Sequence, residues 1–157
     1  MPQRVNYLTD AAGPFKAMQG LEGYLRTSGL DEKLKQLVSL RASQINGCAY
    51  CIDMHWKDLR AAGENEQRLY SLDAWRESPY YTDRERAVLE WTDELTMITD
   101  GHARDEVYER VKAHFTVKEL WDLTLAIATI NAWNRLVIAA RVEPGTYQPA
   151  AHHVGAR

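Results

Sequence analysis

Two cysteines and one histidine lie close together near residue 50 and have the types and spacing needed for redox chemistry. Cys48 and Cys51 are the only cysteines among the 157 residues, and His55 follows the second by four positions. Residues three and four apart are neighbours on one face of a helix. A helix here would therefore place two thiols and an imidazole in a row. Such a row can be a redox-active dithiol with its own base, or most of a metal site.

The position of the cysteine pair favours dithiol chemistry. A thiol reacts as its thiolate, and the pKa of an ordinary cysteine is about 8.5. Cys48 is expected at the start of a helix, where unpaired N–H groups stabilise an anion, and His55 can take the proton of Cys51 directly or through a water. A thiolate that attacks a peroxide becomes a sulfenic acid, which the second thiol converts into a disulfide. An outside dithiol must then reduce the pair.

Other interpretations of the same residues stay open. A metal site would need a fourth ligand, for instance His102 or His114, and the chain has no second C-x-x-C and no H-x-x-x-H pattern to complete a closed zinc site. A c-type haem needs a histidine directly after the second cysteine, where Ile52 stands. The cysteines can also be inert core residues. We expect no metal and no cofactor.

Composition predicts a soluble protein with a packed core. Apolar residues make up 45% of the chain, charged residues 26%, and the net charge is −3. No block of lysine and arginine indicates nucleic-acid binding. The longest apolar stretch without a charge, residues 123–134, is too short to span a bilayer, and the first ten residues lack the apolar core of a signal peptide. We therefore expect a cytoplasmic protein, in a compartment where structural disulfides are rare.

Apolar residues recur at helical spacing along the whole chain, and no long run alternates with period two. The sequence therefore predicts an all-α fold, a compact helical domain with the C-x-x-C at the start of a central helix. We expect one domain over residues 1–157, with a core at about 13–145 and a loose tail at 147–157. The predicted helices begin near Pro14, Asp31, Cys48, Glu66, Thr82, Asp105 and Thr116, the fourth covering residues 66–76 and the last running to about residue 142.

Several segments together resemble alkylhydroperoxidase D-like proteins of the carboxymuconolactone decarboxylase superfamily. The core of the resemblance is RASQINGCAYCIDMH at residues 41–55, followed by KD at 57–58, AAGE at 61–64, EQRL at 66–69, RERA at 84–87 and LTLAIATINAWNR at 123–135. The resemblance covers roughly residues 13–145. It implies an all-helical homo-oligomer, commonly a trimer or hexamer, with peroxidase or disulfide-reductase-like activity. The substrate would be a hydroperoxide, and the partner a lipoyl or thioredoxin-like dithiol reductant.

The resemblance also implies roles for individual residues. Cys51 matches the peroxide-attacking cysteine, Cys48 the resolving cysteine, and His55 the histidine of a proton relay. The relay glutamate of the family lies twelve residues before the first cysteine, where this chain has Gln36. An amide cannot accept a proton, although it can orient a water. Glu32, one helical turn earlier, could substitute through a water or be a solvated first-turn carboxylate.

Two further functions remain possible from the sequence. The decarboxylase branch of the superfamily acts on a lactone acid without a redox cysteine pair, and Arg41 and Arg135 are candidates for a basic pocket that would bind such an acid. Alternatively, a helical oligomer could sense the redox state or bind a partner without efficient turnover. The interpretation that we adopt is a thiol-dependent peroxidase of the alkyl hydroperoxide reductase type.

Overall fold

A computed structural model describes residues 2–6 and 9–149, and within these residues all regular structure is helical. The predicted all-α fold is confirmed. Short 3-10 turns follow the fourth and fifth helices, at Leu72–Ala74 and Ile98–Asp100. The α-helices are α1 Ala12–Thr27, α2 Glu32–Asn46, α3 Ala49–Ala61, α4 Glu66–Tyr70, α5 Asp83–Thr96, α6 Asp105–Lys112 and α7 Val117–Ala140.

Three predicted helix starts have the expected capping geometry. The Asp31 side chain accepts a hydrogen bond from the backbone N–H of Leu34 at the start of α2. Thr82 opens α5 and Thr116 opens α7, each in a complete capping box with the glutamate three residues later. Each cap satisfies backbone N–H groups that would otherwise lack a partner. These local signals therefore fix where the helices begin.

The segment predicted as one helix over residues 66–76 is instead split, and that prediction is wrong. Helix α4 ends at Tyr70, and the chain then tightens into the 3-10 turn Leu72–Ala74. Leu69, Leu72 and Trp75 are all buried in the same core cluster. Their spacing of three suits a 3-10 helix, which has three residues per turn, better than an α-helix.

Helix α2 is the centre of the fold, because it packs against α3, α5 and α7. Its residues Leu34 and Val38 face a core shared with α5, α6 and α7. Leu37 and Leu40 face a second core formed with α3, α4 and α5. Since α3 rests directly on α2, a side chain on the buried face of α3 can reach one on α2.

Helix α7 is long and apolar enough, by length and composition alone, to cross a membrane. Core helices of soluble proteins share these two properties. Here α7 packs against α1, α2, α3, α5 and α6, and 44% of its most apolar window is buried inside the protein. Helix α7 is therefore a packed element of the helical domain.

The C-terminal segment folds back over α3. Lys57 donates hydrogen bonds to the carbonyl oxygens of Gly145 and Tyr147, and the backbone N–H of Gly145 donates to Asp53. Tyr147 was expected to begin a loose tail, but its hydroxyl donates to Asp58 at 2.7 Å. The rest of the predicted tail from residue 150 lies outside the described residues.

Candidate redox active site

Cys48 and Cys51 are joined by a disulfide at the start of α3. Cys48 is the N-cap of α3, and Gly47 before it has the left-handed conformation, with φ 67°, that ends α2. The two Cα atoms are 5.3 Å apart, within the range that a disulfide requires. Both cysteines are buried, 1% and 2% exposed. The sharp turn between α2 and α3 therefore delivers the pair to the protein interior at a helix start.

The buried face of α3 carries the predicted base directly behind the disulfide. Cys51, His55 and Leu59 are buried at successive spacings of four residues, the spacing of one helical face. Cys48 and Cys51 also pack against Val137 of α7. The sequence prediction that His55 lies one turn from Cys51 on a shared helical face is thus the geometry observed.

A cavity of about 440 Å³ lies over this face of α3. Cys51 and His55 line it together with Gln36, and its walls combine apolar side chains with a few charged and hydroxyl groups. The remaining lining residues are Phe15, Glu22, Arg26, Tyr50, Met54, Asp58, Ile130, Trp133, Val137 and Tyr147. A mostly apolar cavity with a few polar groups is the usual form of a small-molecule site.

His55 is tied to α2 through one ring nitrogen only. Its Nδ1 lies 2.6 Å from Oε1 of Gln36, and Nε2 of Gln36 donates to Oε1 of Glu32 at 2.9 Å. Glu32 also forms an ion pair with Lys35. The other ring nitrogen, Nε2 of His55, is buried and has no hydrogen-bond partner within the described part of the chain. An imidazole nitrogen that makes no hydrogen bond is available to accept a proton, as a general base must.

Burial controls the protonation of His55. Desolvation lowers the pKa of His55 from 6.5 to about 4, while the charge of Glu32 raises it and that of Lys35 lowers it. With the disulfide formed, the imidazole is therefore neutral at physiological pH. A thiolate beside it in the reduced protein would raise this pKa, because an opposite charge favours the charged ring.

Gln36 lines the cavity, and Glu32 contacts it from one turn earlier on α2. Gln36 contacts both His55 and Glu32 directly, and a role of either residue in a proton relay stays a prediction. The side chain of Glu32 is largely exposed, as expected for a first-turn carboxylate, yet it holds the amide of Gln36. The three residues form a continuous chain from solvent to the buried imidazole.

The other candidate residues do not line this cavity. Arg41 is buried and binds Asp93 and Asp73, while Arg135 is exposed and donates to Asn131. His102 and His114 lie in the turns that precede and follow α6. In residues 2–6 and 9–149 no group of three histidine, cysteine or acidic side chains could hold a metal ion.

Sequence reasoning missed most of the cavity walls. Met54 and Asp58 follow Cys51 at spacings of three and seven, so the helical pattern could have placed them on its face. Trp133 was expected in a core or interface, but it lines the cavity and donates to Glu22 of α1. No sequence pattern indicates that Tyr147 returns to this site.

Comparison with known proteins identifies the family. Residues 13–94, just over half of the chain, match the carboxymuconolactone decarboxylase family model. An uncharacterized protein of Bacillus subtilis, YdfG, is 43% identical over 139 residues, which cover 88% of this chain and 95% of YdfG. The alkyl hydroperoxide reductase AhpD of Bradyrhizobium diazoefficiens is 49% identical over 41 residues, which cover 26% of this chain and 22% of that protein.

A solved structure supports the same assignment. A protein of unknown function from Agrobacterium tumefaciens, described as a candidate antioxidant defence protein AhpD, superimposes with a TM-score of 0.90. It is 42% identical, and the match covers 93% of this chain and all of that one. The chain therefore belongs to the carboxymuconolactone decarboxylase family and is an AhpD-like protein within it.

Proposed function

We propose that this protein is a thiol-dependent peroxidase that reduces hydroperoxides through Cys48 and Cys51. One observation supports this most directly: the buried Cys51 shares a cavity with His55, whose Nε2 has no partner. A reactive thiol next to a free base is the arrangement that activates a nucleophile. The AhpD relatives support the same chemistry.

The proposed reaction has three steps that balance in atoms and electrons. His55 takes the proton of Cys51, and the thiolate attacks the outer oxygen of the hydroperoxide, breaking the O–O bond. The sulfenic acid forms on Cys51, and the alkoxide that leaves takes the proton back from His55. The thiol of Cys48 then attacks Cys51, releasing water and forming the disulfide. An outside dithiol returns both cysteines to thiols and is itself oxidised.

A second cavity supports a route for the reductant. It has a volume of about 670 Å³ and lies on the Cys48 side of the disulfide, where Gly47, Ala49, Tyr50 and Arg141 line it. Because Cys48 is buried, a narrow dithiol such as a lipoyl arm fits this cavity better than the surface of a folded thioredoxin-like protein. We propose a lipoyl-type reductant on this basis and a cytoplasmic site of action.

Carboxymuconolactone decarboxylation is supported less well. Both arginines suggested for an acid-binding pocket lie outside the cavity, and Arg41 is already neutralised by two aspartates. Arg26 does line the cavity, but the acidic residues Glu22 and Asp58 line it as well. The cavity therefore carries no excess of positive charge to attract an acidic substrate.

Thiol titration tests the proposal. The reduced protein is mixed with tert-butyl hydroperoxide, and free thiols and intact mass are followed. Two thiols per subunit should be lost, the mass should fall by two hydrogens, and dihydrolipoamide should restore the thiols over repeated cycles. Cys51→Ser should abolish the reaction, whereas Cys48→Ser should stop at a sulfenic acid. A single slow oxidation without turnover would indicate a redox sensor. Decarboxylation of a lactone acid that survives alkylation of the thiols would indicate a carboxymuconolactone decarboxylase.

A further inference from the structure

The amide of Gln36 has a fixed orientation, and Glu32 sets it. A glutamine side chain has a donor end and an acceptor end, whereas a carboxylate only accepts. Because Nε2 of Gln36 donates to Glu32, Oε1 of Gln36 must face His55. The acceptor end of the amide is thus presented to the imidazole.

This orientation selects one tautomer of His55. Nδ1 lies 2.6 Å from an oxygen that can only accept, so Nδ1 carries the hydrogen. A neutral imidazole has a single N–H group, and Nε2 is therefore left with its lone pair. Nε2 is also the buried ring nitrogen without a partner. The chain of contacts leaves the basic nitrogen on the side of the ring away from α2.

We propose that Glu32 is a positioning residue, which acts through the amide of Gln36 to hold His55 in the tautomer that can accept a proton at Nε2. The catalytic part of this inference rests on the proposed peroxidase function. The tautomer itself does not, since it follows from the hydrogen bonds alone.

The proposal explains how an amide can serve at position 36, where the family resemblance implies a glutamate. A carboxylate accepts with either oxygen and needs no help, but an amide can rotate by half a turn. A rotated Gln36 would present N–H groups to Nδ1 and stabilise the hydrogen on Nε2, which removes the base. Since the amide cannot take up a proton, the proton from Cys51 stays on His55 until the leaving alkoxide takes it.

Glu32→Ala tests this role, with the tautomer as the first readout. The side chain of Glu32 is 63% exposed, so the variant should fold. Imidazole ¹⁵N shifts of the oxidised protein, recorded near pH 8, distinguish the two tautomers. The parent should show the hydrogen on Nδ1, and Glu32→Ala should show a mixture. The rate of the reduced protein with tert-butyl hydroperoxide should fall with the fraction of His55 in the competent tautomer, by about twofold for an equal mixture.

Testing Glu32→Ala in a protein that already carries Gln36→Glu separates the effect of amide orientation from the effect of the charge of Glu32. In Gln36→Glu, either carboxylate oxygen can accept from Nδ1, so adding Glu32→Ala should leave the tautomer unchanged and should not slow the reaction. Lys35→Gln is the control for the tautomer readout, because it breaks the ion pair of Glu32 but leaves the bond to Gln36. This variant should keep the hydrogen on Nδ1 of His55.

The outcomes decide between the two hypotheses. One contrary result is that Glu32→Ala slows the parent and Gln36→Glu equally, and another is that it leaves the tautomer of His55 unchanged. Either result would overturn the positioning role of Glu32. A tautomer shift in a protein that consumes no hydroperoxide would confirm the orienting contact and reject the proposed peroxidase function instead.

Discussion

Tyr147 donates its hydroxyl to Oδ1 of Asp58 at 2.7 Å, and this bond attaches the C-terminal segment to the helix that carries Cys51 and His55. Burial and the bond to Asp58 raise the pKa of Tyr147, so the phenol stays protonated as a donor. Tyr147 lines the cavity, as Met54 of α3 does. Tyr147 therefore closes one wall of the candidate active site from a segment far away in sequence.

Removing this wall should change which hydroperoxides react. Tyr147→Ala should raise the rate with cumene hydroperoxide relative to hydrogen peroxide by about tenfold, as expected when a bulky group leaves an apolar pocket. Tyr147→Phe keeps the ring and loses only the hydrogen bond to Asp58. It should keep the parent's ratio of rates with the two peroxides and lower the free energy of unfolding by about 1 kcal/mol. Stopped-flow rates with both peroxides, and Tyr70→Ala as a surface control, check this. An unchanged ratio in Tyr147→Ala would show that the ring does not limit access.

The Tyr147 contact shows what the sequence could and could not predict. Helix starts and the positions of Cys48, Cys51 and His55 follow from short-range patterns, because caps and helical spacing act over a few residues. The contact of Gln36 with His55 joins residues 19 apart on different helices, and only family resemblance pointed to it. Tyr147 and Asp58 are 89 apart, and no local pattern encodes their meeting, which depends on how the whole chain packs.

Arg41 illustrates the same limit and gives a stability prediction. It was a candidate for binding an acidic substrate, but it is buried against Asp93, which is 2% exposed and also binds Arg76. Arg41→Met should lower the free energy of unfolding by about 3 kcal/mol, because a buried carboxylate loses one of its counterions. Arg135, the other arginine suggested for binding an acid, is exposed, so Arg135→Met should change the free energy of unfolding by about 0.5 kcal/mol or less. Urea unfolding of both variants checks this, and equal effects would contradict a structural role for Arg41.

Burial of His55 predicts how stability depends on pH. The unfolded chain protonates this residue near its ordinary pKa of 6.5, the folded chain only near about 4. The unfolded state therefore binds more protons between these values, and the stability of the oxidised protein should fall as the pH drops through this window. The loss attributable to His55 is on the order of 3 kcal/mol. Urea unfolding of the parent and of His55→Gln, compared between pH 7 and pH 4, isolates this contribution. Parallel pH curves would contradict it.

Helix α7 carries exposed apolar residues that are candidates for the interface of the expected homo-oligomer. Trp121 is 64% exposed, and Val117 and Leu136 are exposed on the same helix. Exposed apolar side chains mark an interface where they cluster. We propose the trimer or hexamer that the family resemblance implies: light scattering at micromolar concentration should show it, and Trp121→Glu should shift the protein towards the monomer. Tyr70→Glu, which changes an exposed ring outside α7, should leave the oligomeric state unchanged. A parent monomer would exclude this interface.

Gln36→Glu tests the relay position itself. The new carboxylate would lie against Nδ1 of His55 and beside Glu32, where Gln36 now contacts both. It should raise the pKa of His55 and favour the thiolate–imidazolium pair, because an opposite charge stabilises the protonated ring. General base assistance is worth about 10²–10⁴-fold, but His55 already supplies the base, so we expect about a tenfold faster reaction with hydroperoxide near neutral pH.

Two effects oppose this gain, and the pH profile separates them. Repulsion from Glu32 would raise the pKa of the new carboxyl group, and its charge would raise the pKa of Cys51. Glu32→Gln combined with Gln36→Glu removes the first effect, so the double variant should react faster than Gln36→Glu at mildly acidic pH. Stopped-flow rates of the reduced proteins from about pH 5 to 9 measure both. If neither variant exceeds the parent at any pH, position 36 is not a vacant relay site, and either Glu32 already fills that role through Gln36 or the protein does not work as a peroxidase.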